Sequence, residues 1–377
     1  MVRSVIADKA LDYRQYARAA WVMLAVLLFV ISSDPAAAMA ARPQHSKSSD
    51  QAALVAAAPA ARPSMPAAKA TVLAAKTATP APIGAAPLPS NMKLIAWGAS
   101  TNDPNWNRVL NVQDARQGCS SPPERCMIGF KAIQKGGTIK NIHASMVFDP
   151  VTAVDYARQY SEASRNAPWL AEVGIDDFAG QYRKAAAKVG AIQAEAILEG
   201  IIGNMKAANP DLGFGITLYE DELDSPFLHD PQFPQRLRSR VDYVHFYIHY
   251  RSHGPAFASY MQSVTALFPN AKIIGGVYAY DRQDFLPCAP RNPQKCSTAE
   301  EASLFAQTTK IEARLLKNGT LDALETIPGY FGRDAEIPDW KTDPRSCAPE
   351  RRGECIQNTI ALRRSMLAIL QAAAAAP

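Results

Sequence analysis

The chain has 377 residues, 48% of them hydrophobic and 20% charged, and a formal net charge of +5. That length allows one large domain with appendages or two average ones, and the composition excludes a wholly disordered chain and a multi-span membrane protein. The basic excess is local: residues 1–40 carry +1 and 41–92 carry +4, which leaves 93–377 formally neutral and argues against nucleic acid as a partner.

Residues 1–20 are polar and include Arg3, Lys9, Arg14 and Arg18. An apolar run from Trp21 to Ile31 follows, then Ala-Ala-Ala-Met-Ala at 36–40. A basic start, a short apolar stretch and Ala38-x-Ala40 make a secretory signal. The run is short of the roughly 20 apolar residues a bilayer span needs. Cleavage after Ala40 and a periplasmic or secreted location are therefore expected. Residues 41–92 hold 17 Ala and 8 Pro and no Phe, Trp or Tyr. Repeated Pro breaks helices and no core forms without large apolar side chains, so this segment reads as a disordered, semi-extended linker. Its basic residues suit weak contact with an anionic envelope surface.

All six cysteines lie beyond residue 92, in three close pairs: Cys119/Cys126, Cys288/Cys296 and Cys347/Cys355. Each pair brackets a loop rich in Pro and charge. Pairing within each pair is favoured because each closes a small loop and an exported chain meets an oxidising compartment. Zinc prefers tighter Cys-x₂₋₄-Cys spacing, so no metal is expected there.

From residue 93 strand-like and helix-like stretches alternate. The candidate strands are Lys93–Gly98, Met127–Ile133, Asn141–Phe148, Leu170–Phe178, Gly213–Glu220, Val241–Tyr250, Ala271–Asp281 and Leu321–Tyr330. Gln181–Ala208, stopped by Asn209-Pro210, reads as a helix. So does Thr298–Asn318, opened by the capping box Ser297-x-x-Glu300 and closed by Gly319, and so does Ile356–Ala372. Eight strand–helix units in 93–377 fit an α/β fold, the (β/α)₈ TIM barrel, at about 250 residues plus loops. A doubly wound open sheet is the other arrangement of such units, but no G-x-G-x-x-G follows a strand. A single monomeric domain is expected.

Strand alternation assigns the faces. In Val241–Tyr250 the apolar Val244, Phe246 and Ile248 suit the helix layer, and Tyr243, His245, Tyr247 and His249 point to the axis. Likewise Glu172, Gly174 and Asp176 face inward from their strand, as do Gly276, Tyr278 and Tyr280, and Glu325. Barrel interiors are ordinarily filled by Val, Ile and Leu. Burying acids, imidazoles and phenols is costly without partners, so a site at the C-terminal strand ends is implied. A plain Glu172–His245 pair low in the barrel explains those two residues equally well.

The strongest chemical signal lies at two strand ends, Gly174-Ile175-Asp176-Asp177-Phe178 and Tyr219-Glu220-Asp221-Glu222. Neighbouring strands lie about 4.8 Å apart, so their carboxylates can flank one bond, as glycoside hydrolysis requires. Asp176, Asp177 and Glu220 are the candidate catalytic residues. Trp97, Tyr219, Tyr247, Tyr278 and Tyr280 are stacking platforms for a carbohydrate, with His245, His249, Asp281 and Glu325 as polar contacts. Strict alternation puts Glu220 on the helix side, so its role requires a twist or bulge at the strand end.

An exported barrel with these two segments, Ile175–Phe178 and Tyr219–Glu220, resembles the spherulin-4-like and endo-galactosaminidase-like polysaccharide hydrolases. The resemblance implies a (β/α)₈ enzyme acting on microbial exopolysaccharide without a cofactor, with Asp176 or Asp177 and Glu220 as the catalytic pair. The chain departs from that pattern in ending its fourth strand Asp-Asp-Phe. Two rivals remain: a glycan-binding barrel without turnover, and a metal-dependent hydrolase using His245, His249 and Asp176 or Asp281.

Overall fold

Eight parallel strands close on themselves in sequence order: β1 (Leu94–Trp97), β2 (Val112–Cys119), β3 (Asn141–Met146), β4 (Leu170–Ile175), β5 (Gly213–Tyr219), β6 (Tyr243–Tyr247), β7 (Lys272–Tyr278) and β8 (Ala323–Ile327). The closing pair sets Ile95 of β1 beside Glu325 of β8. This is the (β/α)₈ barrel. The computed structural model describes residues 88–97, 111–135, 138–229, 233–281, 288–289, 296–327 and 349–376. The export signal, most of the linker, Trp106 and Cys347 lie outside them.

The helices are α1 (Pro123–Lys135), α2 (Ala153–Ser164), α3 (Phe178–Val189), α4 (Ala191–Ala207), the short α5 (Pro226–His229) and α6 (Phe233–Arg238), α7 (Phe257–Leu267), α8 (Thr298–Lys317) and α9 (Arg352–Ala375). Ser297 caps α8, accepting a hydrogen bond from the Glu300 backbone N–H at 3.2 Å. The long helix expected over 181–208 is two helices, broken at Gly190, whose φ of 88° lies in the region open to glycine.

The second strand differs from the sequence expectation. Met127–Ile133 lies within α1, and the strand is Val112–Cys119. The apolar residues of 127–133 follow a helical period: Phe130 is buried, Met127 and Ile133 are partly buried against the core, and Ile128 is 74% exposed. In β2, Asp114 and Arg116 are buried. Their charge makes the segment read as surface.

The large core lies between strands and helices. Val173, Ile175, Ile216, Leu218, Val244 and Phe246 meet Leu198, Ile201 and Ile202 of α4 and their counterparts, all buried. Each such side chain stabilises the fold by about 1.5–3 kcal/mol. Leu88 and Met92 belong to this core, so the folded part starts slightly before residue 93. Cys119–Cys126 joins the end of β2 to α1, and Cys288–Cys296 closes a second loop ahead of α8. Cys355 is disulfide-bonded. Among the described residues no helix is long and apolar enough to cross a membrane.

Candidate active site

Charged side chains crowd the barrel interior beside a small apolar cluster of Ile95, Ile274 and Ala323, and two glycines make room for them. A Cβ on Gly215 would stand 1.6 Å from Glu172 Oε1, and one on Gly276 would stand 2.2 Å from the Tyr247 ring. Low in the barrel, Asp114 pairs with Lys93 and with His143 Nε2 at 3.0 Å. The other nitrogen of His143 lies 2.6 Å from Glu172 Oε2. One strand layer up, His245 Nε2 meets Glu172 Oε2 at 3.0 Å. His245 Nδ1 lies 2.9 Å from Glu325 Oε2, an ion-pair contact out of hydrogen-bond alignment. Glu325 also accepts from Arg116 Nη1 at 3.0 Å and from the Tyr247 hydroxyl.

These groups perturb one another strongly. Burial opposes the charge on each carboxyl, yet the cations win. Asp114 is held down to about 2 by His143 and Lys93, and Glu325 to about 2 by Arg116 and His245. Glu172 is held well below the carboxylate range by His245 and His143. Burial also works against a charged His143, but Asp114 and Glu172 raise it to about 9.

Arg116 links this interior to the mouth. Its Nη2 donates to Thr217 Oγ1 at 2.5 Å and lies 3.5 Å from Asp176 Oδ1, and its guanidinium sits 4.4 Å from the Trp97 ring centroid. The Thr217 hydroxyl donates to Asp176 Oδ1 at 2.9 Å. The Asp176 side chain is 35% exposed. Burial raises its pKa above the ordinary Asp value, with Asp177 adding to the effect and Arg116 opposing it. Asp177 is exposed and sits in the left-handed region at φ 44° as the N-cap of α3. A non-glycine residue there stores strain, a feature that clusters at functional sites. Its Oδ1 accepts from the Tyr219 hydroxyl at 2.5 Å.

Aromatic rings crowd this point, but Tyr219, Tyr247 and Tyr280 are buried and so are not the open stacking platforms expected of them; Trp97, His249 and Tyr278 are partly exposed. Tyr219 stacks on His249 at 3.6 Å between centroids, and Tyr278 lies 4.8 Å from Tyr247. The Tyr278 hydroxyl donates to that of Tyr219 at 3.4 Å. Tyr280 is buried and meets Tyr278 edge-on at 5.8 Å. Of the residues singled out from sequence, Trp97, Asp176, Asp177, Tyr219, Tyr247, His249 and Tyr278 thus form one connected set above His245 and Glu325.

Two of those residues are placed elsewhere. Glu220 accepts from the backbone N–H groups of His249 at 2.6 Å and Tyr250 at 2.9 Å, and pairs with His253 at 3.0 Å. Its side chain is 1% exposed. It therefore anchors the loop after β6, and it shares no hydrogen-bond partner with Asp176 or Asp177 among the described contacts. Alternation along β5 had pointed to this side. Asp281 accepts from Asn358 at 2.8 Å and pairs with Arg351 at 3.3 Å, tying the end of β7 to α9.

Among the described residues, the ligand set of the rival metal-dependent hydrolase is not brought together either. Both His245 nitrogens face carboxylates within the barrel, whereas His249 pairs with Asp221 at 3.0 Å. His143, Glu172 and His245 have ligand-type atoms within 4.8 Å of one another, but each ring nitrogen there already faces a carboxylate. The sequence reading missed Asp114, Arg116, His143 and Thr217. Arg116 and Asp114 two residues apart were the available signal.

No protein-family model matches the chain, and no curated protein matches it in sequence. Solved structures similar to it include a GH18 chitinase from Pseudoalteromonas aurantia, 13% identical, covering 62% of this chain and 93% of that one, TM-score 0.40. The Ignisphaera aggregans GH53 catalytic domain is 13% identical over 65% of this chain and 88% of its own, TM-score 0.42. The catalytic core of xylanase A is 14% identical over 68% and 90%, TM-score 0.42.

Proposed function

We propose that the barrel is an exported glycoside hydrolase that cleaves a polysaccharide or oligosaccharide at the mouth defined by Asp176, Asp177 and Tyr219. The observation that carries this is the unlike environment of two consecutive acids. Burial lets Asp176 hold a proton above the usual range, while Asp177 is exposed beside a hydroxyl donor. Two carboxyls made unlike by their surroundings are the starting point for acid–base division of labour. Asp176 gives its proton to the departing glycosidic oxygen. Asp177, as the carboxylate, attacks the anomeric carbon or takes a proton from the attacking water. The partly exposed rings of Tyr278 and Trp97 are the surfaces offered to the sugar rings. Glu220, enclosed by backbone donors, organises the loop beneath His249.

Export fits the disulfides, which persist in oxidising compartments. The likeness to the spherulin-4-like and endo-galactosaminidase-like hydrolases extends the proposal to microbial exopolysaccharide as substrate, with the basic linker touching an anionic envelope.

The test is oligosaccharide release from a panel of microbial polysaccharides. Asp176→Asn and Asp177→Asn should each lower the rate by about 10²-fold or more, whereas folded Glu220→Gln should retain the chemistry. Full turnover in Asp176→Asn rejects the reading. A glycan-binding barrel is the second reading, favoured by the enclosure of Glu220, whose side chain is 1% exposed. Calorimetric glycan binding with no released product supports that reading.

A further inference from the structure

Eight titratable groups run through the barrel, basic and acidic by turns: Lys93, Asp114, His143, Glu172, His245, Glu325, Arg116 and Asp176. The last six contacts measure 3.0, 2.6, 3.0, 2.9, 3.0 and 3.5 Å in that order, after the Lys93–Asp114 pair. They come from the edge of β1, from β2, β3, β4, β6 and β8, and from the end of β4. The alternation depends on the two imidazoles. A neutral imidazole offers one N–H and one lone pair. Each of these rings sets one nitrogen against one carboxylate and the other against a second: His143 between Asp114 and Glu172, His245 between Glu172 and Glu325. A lone pair turned toward a carboxylate oxygen repels it. For His143 the imidazolium meets both sides and is held charged by Asp114 and Glu172; at His245 one nitrogen is hydrogen-bonded to Glu172 and the other faces Glu325 out of hydrogen-bond alignment.

Its end has a consequence for the mouth. Arg116 is one cation shared by two anions, Glu325 below and Asp176 above. How much of its field Asp176 feels depends on Glu325, and how firmly Glu325 holds Arg116 depends on His245. Other groups facing this point are Thr217, Tyr247 and Trp97 around Arg116, and Asp177 beside Asp176.

We infer that Glu325 and His245 are positioning residues for the mouth, setting through Arg116 how tightly Asp176 holds its proton. Neither touches a substrate. The inference rests on the reading of Asp176 as the proton donor for its significance, but not for its test.

The test is a carbon-13 titration of the aspartate carboxyls in the full, disulfide-intact chain, with Asp176 assigned by its loss in Asp176→Asn. Glu325→Gln removes an anion, frees Arg116 for Asp176, and should lower the Asp176 midpoint by about one unit, a tenfold loss of proton affinity. His245→Gln takes an imidazole nitrogen away from Glu325, leaves Glu325 to hold Arg116 more firmly, and should raise the midpoint. Loosened packing does not produce opposite signs from two such neighbours. Shifts of one sign, or none, overturn the inference. A measurement without any substitution guards against misfolding: nitrogen-15 spectra of the histidines in the unaltered protein at pH 7. His143 should show two protonated nitrogens, and a neutral tautomer there overturns the chain of paired groups. If Asp176→Asn retains hydrolysis while the titrations behave as stated, the functional reading fails and this inference stands.

Discussion

Glu312, buried on α8, gives the sharpest quantitative prediction. It is 1% exposed, and neither carboxyl oxygen has a hydrogen-bond partner. Burial raises its pKa from 4.5 to about 8, with Arg251 pulling weakly the other way. Arg251 is turned elsewhere, toward Glu301 at 3.2 Å and the carbonyls of Tyr278 and Tyr280 at 2.8 and 2.9 Å. The folded protein therefore binds this proton more tightly than the unfolded chain does. Rising pH favours unfolding, and the penalty grows from near pH 4.5 until it levels off above about pH 8. At about 1.36 kcal/mol per unit, the cost is roughly 3 kcal/mol at pH 7 and about 5 kcal/mol above pH 8. Glu312→Gln keeps the shape and cannot ionise. Denaturant unfolding of both proteins at pH 5, 7 and 9, with disulfides intact, should give stabilities within about 1 kcal/mol at pH 5, with the Gln variant ahead by about 3–5 kcal/mol at the higher values. A difference that stays constant from pH 5 to 9 refutes the reasoning.

Three further outcomes follow from the same structure. His143 is raised to about 9, so its contribution is fully present below about pH 6.5 and is lost as pH rises through 9; His143→Gln should flatten that part of the stability profile, read by the same unfolding series. Paired Cys119→Ser and Cys126→Ser substitutions should cost about 2–3 kcal/mol by thermal or denaturant unfolding, the value for so short a loop. Gly276→Ala puts a methyl group 2.2 Å from the Tyr247 ring, which lies on the buried Glu325; a loss of about 1–3 kcal/mol is expected, together with a changed near-ultraviolet tyrosine signal.

The barrel was legible from sequence where strands carry apolar residues outward and a few polar ones inward. In β6, Val244 and Phe246 alternate with His245 and Tyr247, and the faces fall as the period requires. β2 defeated the same rule. Its inward residues Asp114 and Arg116 are ionic, and between Val112 and Cys119 at its ends the other positions are only Gln, Ala and Gly, so no hydrophobic period marks it. A charge buried against another charge is indistinguishable, in sequence, from a charge in water. The misplacement of Glu220 has a related cause. Identity suggested chemistry, while alternation along β5 gave its side; a carboxylate that accepts two backbone N–H groups looks no different in sequence from one that waits for substrate. Asp281 is the same case, a strand-end acid whose partners Asn358 and Arg351 lie 70 or more residues away.

The interior charges bear on why the mouth and not the axis holds the proposed chemistry. Taking an ion pair out of water costs several kcal/mol per ion, and well-packed apolar residues of similar volume are often at least as stable. The apolar layer between strands and helices already supplies a continuous core. The fold as such does not require Asp114, Arg116, His143, Glu172, His245 and Glu325 on its axis. What the axial charges do provide is a fixed cation at the floor of the mouth. An arginine held by Glu325 and Thr217 beneath Asp176 cannot swing into solvent, so the carboxyl above it meets an unvarying field. An apolar axis would leave Asp176 to burial alone. Burial raises its proton affinity, and a carboxyl that holds its proton too tightly is a poor acid. The opposing pull of Arg116, tempered by Glu325, holds Asp176 between those extremes.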